Sequence, residues 1–458
     1  MSNIELHPAS FKDPSGFVFQ KDNIFYRQVN QLYKDDYDLL MSSGLYKDLI
    51  NKNYLLPHEE IIENFTGSPE WYKTILPAQL SFISYPYEWC FGQIKDAALL
   101  TLAIQKMAIA HGMILKDATH FNVQFLNGKP VFIDTLSFEK YDSSQPWVAY
   151  TQFCECFLFP LLLQKYLAID VQKLMLTYPQ GIPAGLVKEL LPWKSNFNLG
   201  VGLHVSLQSK IKGGNNPGAY KGKFDQNKML QLIGNLEDNI RSCALNKKAK
   251  TSWSNYYDET IISRSYLTEK EIIFRRFISS IDFETVLDIG ANDGFFSKII
   301  SEKTASVVSI DFDSHCINSL YAYTKKQKTL NILPLCIDFS NPTPATGFNN
   351  TERSSFTARA HFDLVLALAL VHHLAISKNI PLQNIAESFQ KTGNKLIVEF
   401  IPKEDEKVKQ LLLYRKDIFS NYNETEFIKC FGKYFTIISS AKIPGTQRTM
   451  YLLNRKEN

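Results

Sequence analysis

Between Asp288 and Gly294 the chain reads DIGANDG, and two further acids, Asp311 and Asp338, close the next apolar runs, SVVSID and LNILPLCID. Glycines at 290 and 294 allow a backbone to approach a ligand with no side chain in the way. Asp311, 23 residues past Asp288, can accept hydrogen bonds from both hydroxyls of a ribose. Asp338 can meet the amino group of an adenine. His372 and His373 follow a fourth apolar run, FDLVLALAL, and Glu399 ends a fifth, KLIVEF. An imidazole is a base near neutral pH, and a carboxylate at a strand end is a second candidate. The set describes a nucleoside-type ligand beside groups able to move a proton.

These residues need elements to hold them. TVLDIG (285–290), the glycine turn and FFSKIIS (295–301) read as strand, turn and helix. Residues 306–311, 330–338, 362–370 and 395–400 read as further buried strands, with helices over 268–279 and 380–392. Strands alternating with helices predict a doubly wound α/β sheet that binds its ligand outside the strands' carboxyl ends. YFTIISS (434–440) and TMYLLN (449–454) close the chain as an antiparallel hairpin. A dinucleotide site prefers GxGxxG, and this turn is GANDG instead.

The DxGxNxG string of Asp288, Gly290, Asn292 and Gly294, followed by SID and CID, resembles the motifs of class I S-adenosylmethionine-dependent methyltransferases. The resemblance covers about residues 251 to 454. It implies a seven-stranded Rossmann-like sheet with a reversed terminal strand. It also implies that Asp288 to Gly294 line the methionine part of the cofactor, that Asp311 holds the ribose, and that Asp338 and Phe339 flank the adenine. In that family the fourth strand's end borders the methyl-transfer site, so His372 or His373 becomes a general base or acceptor-orienting group, with Glu399 as the second candidate. Neither an NPPY-like tetrad nor a Pro-Cys nucleophile is present, which disfavours adenine and cytosine bases as acceptors. Trp253, Tyr256 and Tyr257 form a lid over the cofactor or pack the following helix.

In the N-terminal half, Asp117, Asn122 and Asp134 fall on two loops around a hairpin, NVQF and PVFID, joined by Asn127-Gly128. A helix over Gln93 to His111 precedes them. This arrangement resembles the catalytic loop and metal-binding acid of protein-kinase-like folds, which implies a possible Mg-ATP site. The departures are Leu115 in place of the loop histidine and Thr135-Leu136 in place of Phe-Gly. No GxGxxG loop is present beyond an echo in DPSGFVF (13–19), and Arg27 stands where the lysine would be. SYPYEW (84–89) reads as the strand and hinge leading into the helix. Capped turns alone would also place Asp and Asn here.

The chain has 458 residues, 45% hydrophobic and 21% charged, enough for two or three domains. SKIKGGNNPGAYKGKF (209–224) reads as a linker and 225 to 250 as a charged connecting helix ending in NKKAK. The expected domains are therefore 1–208, an α+β unit with the kinase-like resemblance, the connector 209–250, and 251–458. Ser340 to Ala360 reads as a polar surface loop, and CFLFPLLLQKYLAI (156–169) as a core helix too short to span a membrane. A net charge of +4 favours neither nucleic acid nor an anionic membrane. Seven cysteines without a CxxC pair exclude a zinc ribbon and fit a reduced, cytoplasmic protein, and no signal peptide is read. The expected activity is methyl transfer from S-adenosylmethionine to an oxygen or nitrogen of a small-molecule acceptor. The alternatives are a bifunctional protein whose first half binds Mg-ATP or phosphorylates a substrate, an RNA methyltransferase using the lysines of 210–250, and a scaffold that has lost both chemistries.

Overall fold

The computed structural model describes residues 4–206, 208, 225–245, 264–328, 331–413 and 416–457. The expected linker at 209–224, the NKKAK run, and Trp253, Tyr256 and Tyr257 lie outside the described residues. The chain forms two compact units. The first is Met1–Ala249 with Ala345–Arg353, and the second is Lys250–Pro344 with Ser354–Asn458.

The first unit opens with an antiparallel sheet of five strands: β1 (Ile4–Leu6), β2 (Gly16–Lys21), β3 (Ile24–Asn30), β4 (His58–Ile61) and β5 (Trp71–Pro77). Their order is β1-β2-β3-β5-β4. The fifth strand lies upstream of SYPYEW. Those six residues form no strand but a 3-10 turn, Pro86–Glu88, because Pro86 starts a turn and Glu88 reaches back to the Tyr85 amide at 2.9 Å. Helix α1 (Phe91–Ala110) follows, its first turn fixed by Gln93 accepting from the Cys90 amide at 3.0 Å. The hairpin of β6 (Val123–Leu126) and β7 (Lys129–Phe132) turns at Asn127 and Gly128, both left-handed at φ 51° and 68°. That is the type I′ geometry the Asn-Gly pair favours.

Helix Phe159–Leu167 is buried along most of its length, and among the described residues no helix is long and apolar enough to cross a membrane. The connecting helix, α2, runs Gln226–Ser242 and stops eight residues short of the expected end, where Cys243 turns extended. It is no free spacer. Met229, Ile233, Leu236 and Ile240 form one buried seam, and Lys95 on α1 donates to the Arg241 and Cys243 carbonyls at 2.9 and 2.7 Å.

The second unit is built on a seven-stranded sheet. Its strands are β8 (Thr285–Ile289), β9 (Ser306–Asp311), β10 (Ile332–Cys336), β11 (Phe362–Ala367), β12 (Gly393–Phe400), β13 (Phe435–Lys442) and β14 (Thr449–Arg455). Their order is β10-β9-β8-β11-β12-β14-β13. The first five are mutually parallel, and β14 enters antiparallel to β12. The parallel strands read as unbroken apolar runs because both faces are covered. Helix α3 (Arg264–Ile278) places Phe274, Phe277 and Ile278 in a core with Val286, Leu364 and Ile397. Helix α4 (Leu382–Thr392) buries Leu382, Ile385, Ala386 and Phe389, one stripe at helical spacing. The chain order reverses at β8, so the switch point lies beyond Ile289 and Ala367.

Ser340 to Ala360 lies mostly at the surface, as its polar composition predicts, but it is pinned at three places. Glu352, Phe356 and Ala360 are buried, two short helical turns form, and Ala345–Arg353 packs with the first unit. Gly294 carries a packing requirement that the sequence did not show. It has φ +78°, and a Cβ there would stand 2.5 Å from Leu320 Cδ1, so the glycine serves helix packing beneath the turn. Gly294→Ala should lower unfolding free energy by about 1–3 kcal/mol; urea denaturation with an unchanged midpoint would refute this packing role.

Candidate functional site

Beyond the carboxyl ends of β8, β9, β10 and β11 lies a cleft of about 210 Å³. Gly290, Asn292, Asp311, Asp338, Phe339 and His373 line it, together with Phe312, the Leu368–Leu370 strand end and Lys378. Six residues singled out in the sequence thus meet at one place. Asp288, Gly294, His372 and Glu399 are not among the lining residues.

The turn after β8 is shaped by three left-handed residues: Gly290 (φ 74°), Asn292 (φ 53°) and Gly294. The Gly290 and Ala291 amides both donate to the Ile310 carbonyl, at 2.9 and 3.0 Å, which ties the turn to β9. Asp311 Oδ2 accepts from the Asn292 amide and Oδ1 from the Asp313 amide, each at 2.9 Å. The Phe312 amide bonds the same carboxylate, which keeps acceptor capacity for a further donor. Burial raises the Asp311 carboxyl to about 6, against the pull of those amides. Asp313 then caps the next helix through the His315 and Cys316 amides. Asp338 Oδ1 accepts from the Ser340 amide and hydroxyl at 2.9 and 2.6 Å, and Lys378 lies 3.4 Å from Oδ2. Phe339 stacks on Phe389 of α4, centroids 5.4 Å apart, which fixes its ring as a wall of the cleft.

Asp288 stands behind this surface. It is buried, accepts from Ser297 Oγ at 2.5 Å, and Ser309 continues the chain at 2.8 Å. Burial raises it to about 6, with the Asp311 charge adding to the rise. It braces the turn rather than facing a ligand.

His373 is half of a ring pair, 4.1 Å from His372, and burial lowers its imidazole to about 4. His372 is fully buried, both ring nitrogens lack a hydrogen-bond partner among the described residues, and burial drives its pKa well below the usual range. Glu399 is completely buried in a charge lattice that the sequence did not reveal. Lys270 Nζ sits 2.6 Å from Glu399 Oε2, and Tyr266 Oη donates to Oε1 at 2.7 Å. Arg448 reaches Tyr266 Oη at 2.8 Å and clamps Asp405 through two bonds of 2.7 and 2.9 Å. Burial pushes the Glu399 carboxyl up, but Lys270 and Arg448 outweigh it and hold the acid below its usual range. Glu399 thus lies within this lattice and not on the wall of the cleft. Lys270, Tyr266 and Arg448 could have been suspected from one signal, a lysine on the apolar stripe of α3.

In the first unit, Asp117, Asn122 and Asp134 do converge. Asn122 bonds Asp117 and donates to Ser137 Oγ at 3.0 Å, and Ser137 Oγ donates to Asp134 Oδ2 at 2.6 Å. Burial, then the Asp134 charge, raises Asp117. Arg27 on β3 pairs directly with Asp134, and Lys116 Nζ donates to Ser15 Oγ at 2.7 Å. No group of three or more His, Cys, Asp and Glu able to hold a metal occurs among the described residues.

Removing Glu399 strands one buried cation, Lys270, while Arg448 keeps Asp405 as its partner. Glu399→Ala should cost about 3–5 kcal/mol, whereas Lys270→Met with Glu399→Leu should cost less than the single change. Equal losses for the single and double variants in thermal and urea unfolding would show that the lattice is not coupled.

No family model matches the chain. Among solved structures it is similar to the N-methyltransferase NodS from Bradyrhizobium japonicum WM9 in complex with S-adenosyl-l-homocysteine. The identity is 12% over 45% of this chain and 100% of that one, with a TM-score of 0.33. It is also similar to the bifunctional kinase-methyltransferase WbdD, at 19% identity over 46% of this chain and 43% of that one, with a TM-score of 0.30. Nodulation protein NoeA of Rhizobium meliloti (strain 1021) is 30% identical over 461 residues, 98% of this chain and 96% of that protein. With that extent of identity along both chains, this protein belongs to the NoeA family.

Proposed function

We propose that the second unit is an S-adenosylmethionine-dependent methyltransferase acting on an oxygen or nitrogen of a small-molecule acceptor. The observation that carries this reading is Asp311, buried at the end of β9 and fixed by two backbone amides beside a left-handed glycine turn. The donor set fits a nucleoside: a carboxylate for ribose hydroxyls, Asp338 for an exocyclic amine, and the Phe312 and Phe339 rings for a base plane. Bound S-adenosylmethionine would supply an activated methyl group. The chain's part is to align the acceptor and exclude water. Leu368, Leu370, Leu374 and Leu411 give the cleft apolar walls. His373 is neutral at physiological pH. Because burial weakens it as a base, it suits orienting an acceptor lone pair better than taking a proton.

A second reading concerns the first unit. The convergence of Asp117, Asn122 and Asp134 favours a nucleotide site, with Mg-ATP as its ligand. The Arg27 ion pair means that a metal at Asp134 has first to displace a fixed guanidinium.

Calorimetry on the full chain tests both readings. S-adenosylhomocysteine should bind, and Asp311→Ala should weaken it by about 1.5–3 kcal/mol for each bond lost. Only the ionised Asp311 accepts from two hydroxyls, so affinity should fall as pH drops through about 6 and level off above it. A flat pH profile, or unchanged affinity in the variant, removes Asp311 from the site. Mg-ATP binding that disappears in Asp134→Ala would establish the nucleotide site, and no heat with the wild-type chain would discard it.

A further inference from the structure

Residues Ala345–Arg353 pack as part of the first unit, although the chain on either side belongs to the second. Thr346 and Arg353 exchange two backbone hydrogen bonds, at 3.0 and 3.1 Å, and close the segment into a loop. Within it, the Phe348 amide donates to Glu352 Oε1 at 2.9 Å. A Cβ on Gly347, at φ +87°, would stand 2.5 Å from the Glu352 side chain. Glu352 is only 3% exposed.

This loop holds two others. Glu352 takes Lys12 Nζ at 2.7 Å, and Phe348 packs on Phe11 with centroids 5.9 Å apart. Both partners lie on the loop between β1 and β2. The Arg353 guanidinium lies 4.1 Å from the centre of the Phe121 ring, next to Asn122. Burial, then the Arg353 charge, lowers His120 to about 3 and also lowers His7. The β1–β2 loop is in turn bonded to Lys116 through Ser15, one residue before Asp117.

The same stretch of chain starts in the cleft. Asp338, Phe339 and Ser340 line it, the Asn341 amide donates to the Asp338 carbonyl at 2.9 Å, and Phe356 returns to bond Thr343 at 2.9 Å. Phe356 and Ala360 are fully buried, so the root of the loop is firm.

We propose that Ala345–Arg353 is a latch through which occupation of the cleft is transmitted to the two loops it grips, residues 7–15 and 117–122. Covalent continuity and the hydrogen bonds at the root carry the movement, and Lys12–Glu352 and Arg353–Phe121 deliver it. The ligand-dependent half of the proposal rests on the reading of the cleft as a methyl-donor site.

Hydrogen–deuterium exchange on the full chain tests it, with S-adenosylhomocysteine as probe and Lys12→Ala as variant. Lys12 is half exposed, so its loss leaves the core intact. Saturating ligand should slow exchange several-fold in 345–353 and in 7–15 of the wild-type protein. In Lys12→Ala the slowing in 7–15 should be lost while calorimetry still shows binding. Ligand binding with no change in 7–15, or an undiminished change in the variant, overturns the latch. A ligand-free arm decides the matter even if the donor reading fails. Lys12→Ala, and Glu352→Gln as a buried check, should raise uptake both in 345–353 and in 337–341. A rise confined to 345–353 means that no coupling exists.

Discussion

The second unit depends on one buried ion pair, Lys270 with Glu399. Neither charge can lie alone in the core, since an unpaired buried ion costs several kcal/mol. The pair therefore recruits Tyr266, Arg448 and Asp405, and five side chains from four separate stretches of chain are fixed against each other. Helix α3 is held to the end of β12 by this lattice, and the loop between β13 and β14 is held to it through Arg448. The antiparallel end of the sheet is thus tied electrostatically to the helix that covers the core. Uncharged residues of similar shape would pack there, but they would not specify which helix end meets which strand end.

The cleft shows a division of labour between surface and support. Asp311 faces the cleft and spends most of its hydrogen-bonding capacity on the backbone that shapes it. Asp288 lies one layer deeper and holds the first turn of the following helix through Ser297. Both carboxyls are raised to about 6 by burial, and each raises the energy of ionising its neighbour. His372 and His373 show a similar split, one enclosed and the other at the wall.

Much of this unit was legible in the sequence because its signals are local. SVVSID became a strand with the same bounds, and Asp311, at its carboxyl end, had to reach the cleft once the strand was parallel. Asn127-Gly128 dictated its hairpin because both residues tolerate a left-handed backbone. What was not legible depends on partners far along the chain. Glu399 looks like a strand-end acid, and only the fold shows that Lys270 and Arg448 consume it. Gly294 fits a ligand-binding turn equally well, yet its left-handed backbone and the closeness of Leu320 already require a glycine. The polarity of Ser340 to Ala360 hides a buried carboxylate, Glu352, held by the adjacent Arg353 and by Lys12, more than three hundred residues earlier. In the first unit Asp117, Asn122 and Asp134 lie close together, and Arg27, which the sequence put in the place of the family's lysine, pairs with Asp134, a direct contact that spacing alone does not show.

The discontinuity of the first unit also bears on how the protein is made. As the chain leaves the ribosome, everything in that unit up to Ala249 emerges first, but Glu352 follows only after roughly a hundred further residues. At about 5–20 residues per second, Lys12 and Phe11, some 340 residues ahead of Glu352, wait on the order of 20–70 s for their partners. During that interval the β1–β2 loop has no counter-charge from Glu352. The first unit therefore completes its packing after most of the parallel strands of the second have been synthesised, and the two halves mature as an interleaved pair rather than in succession.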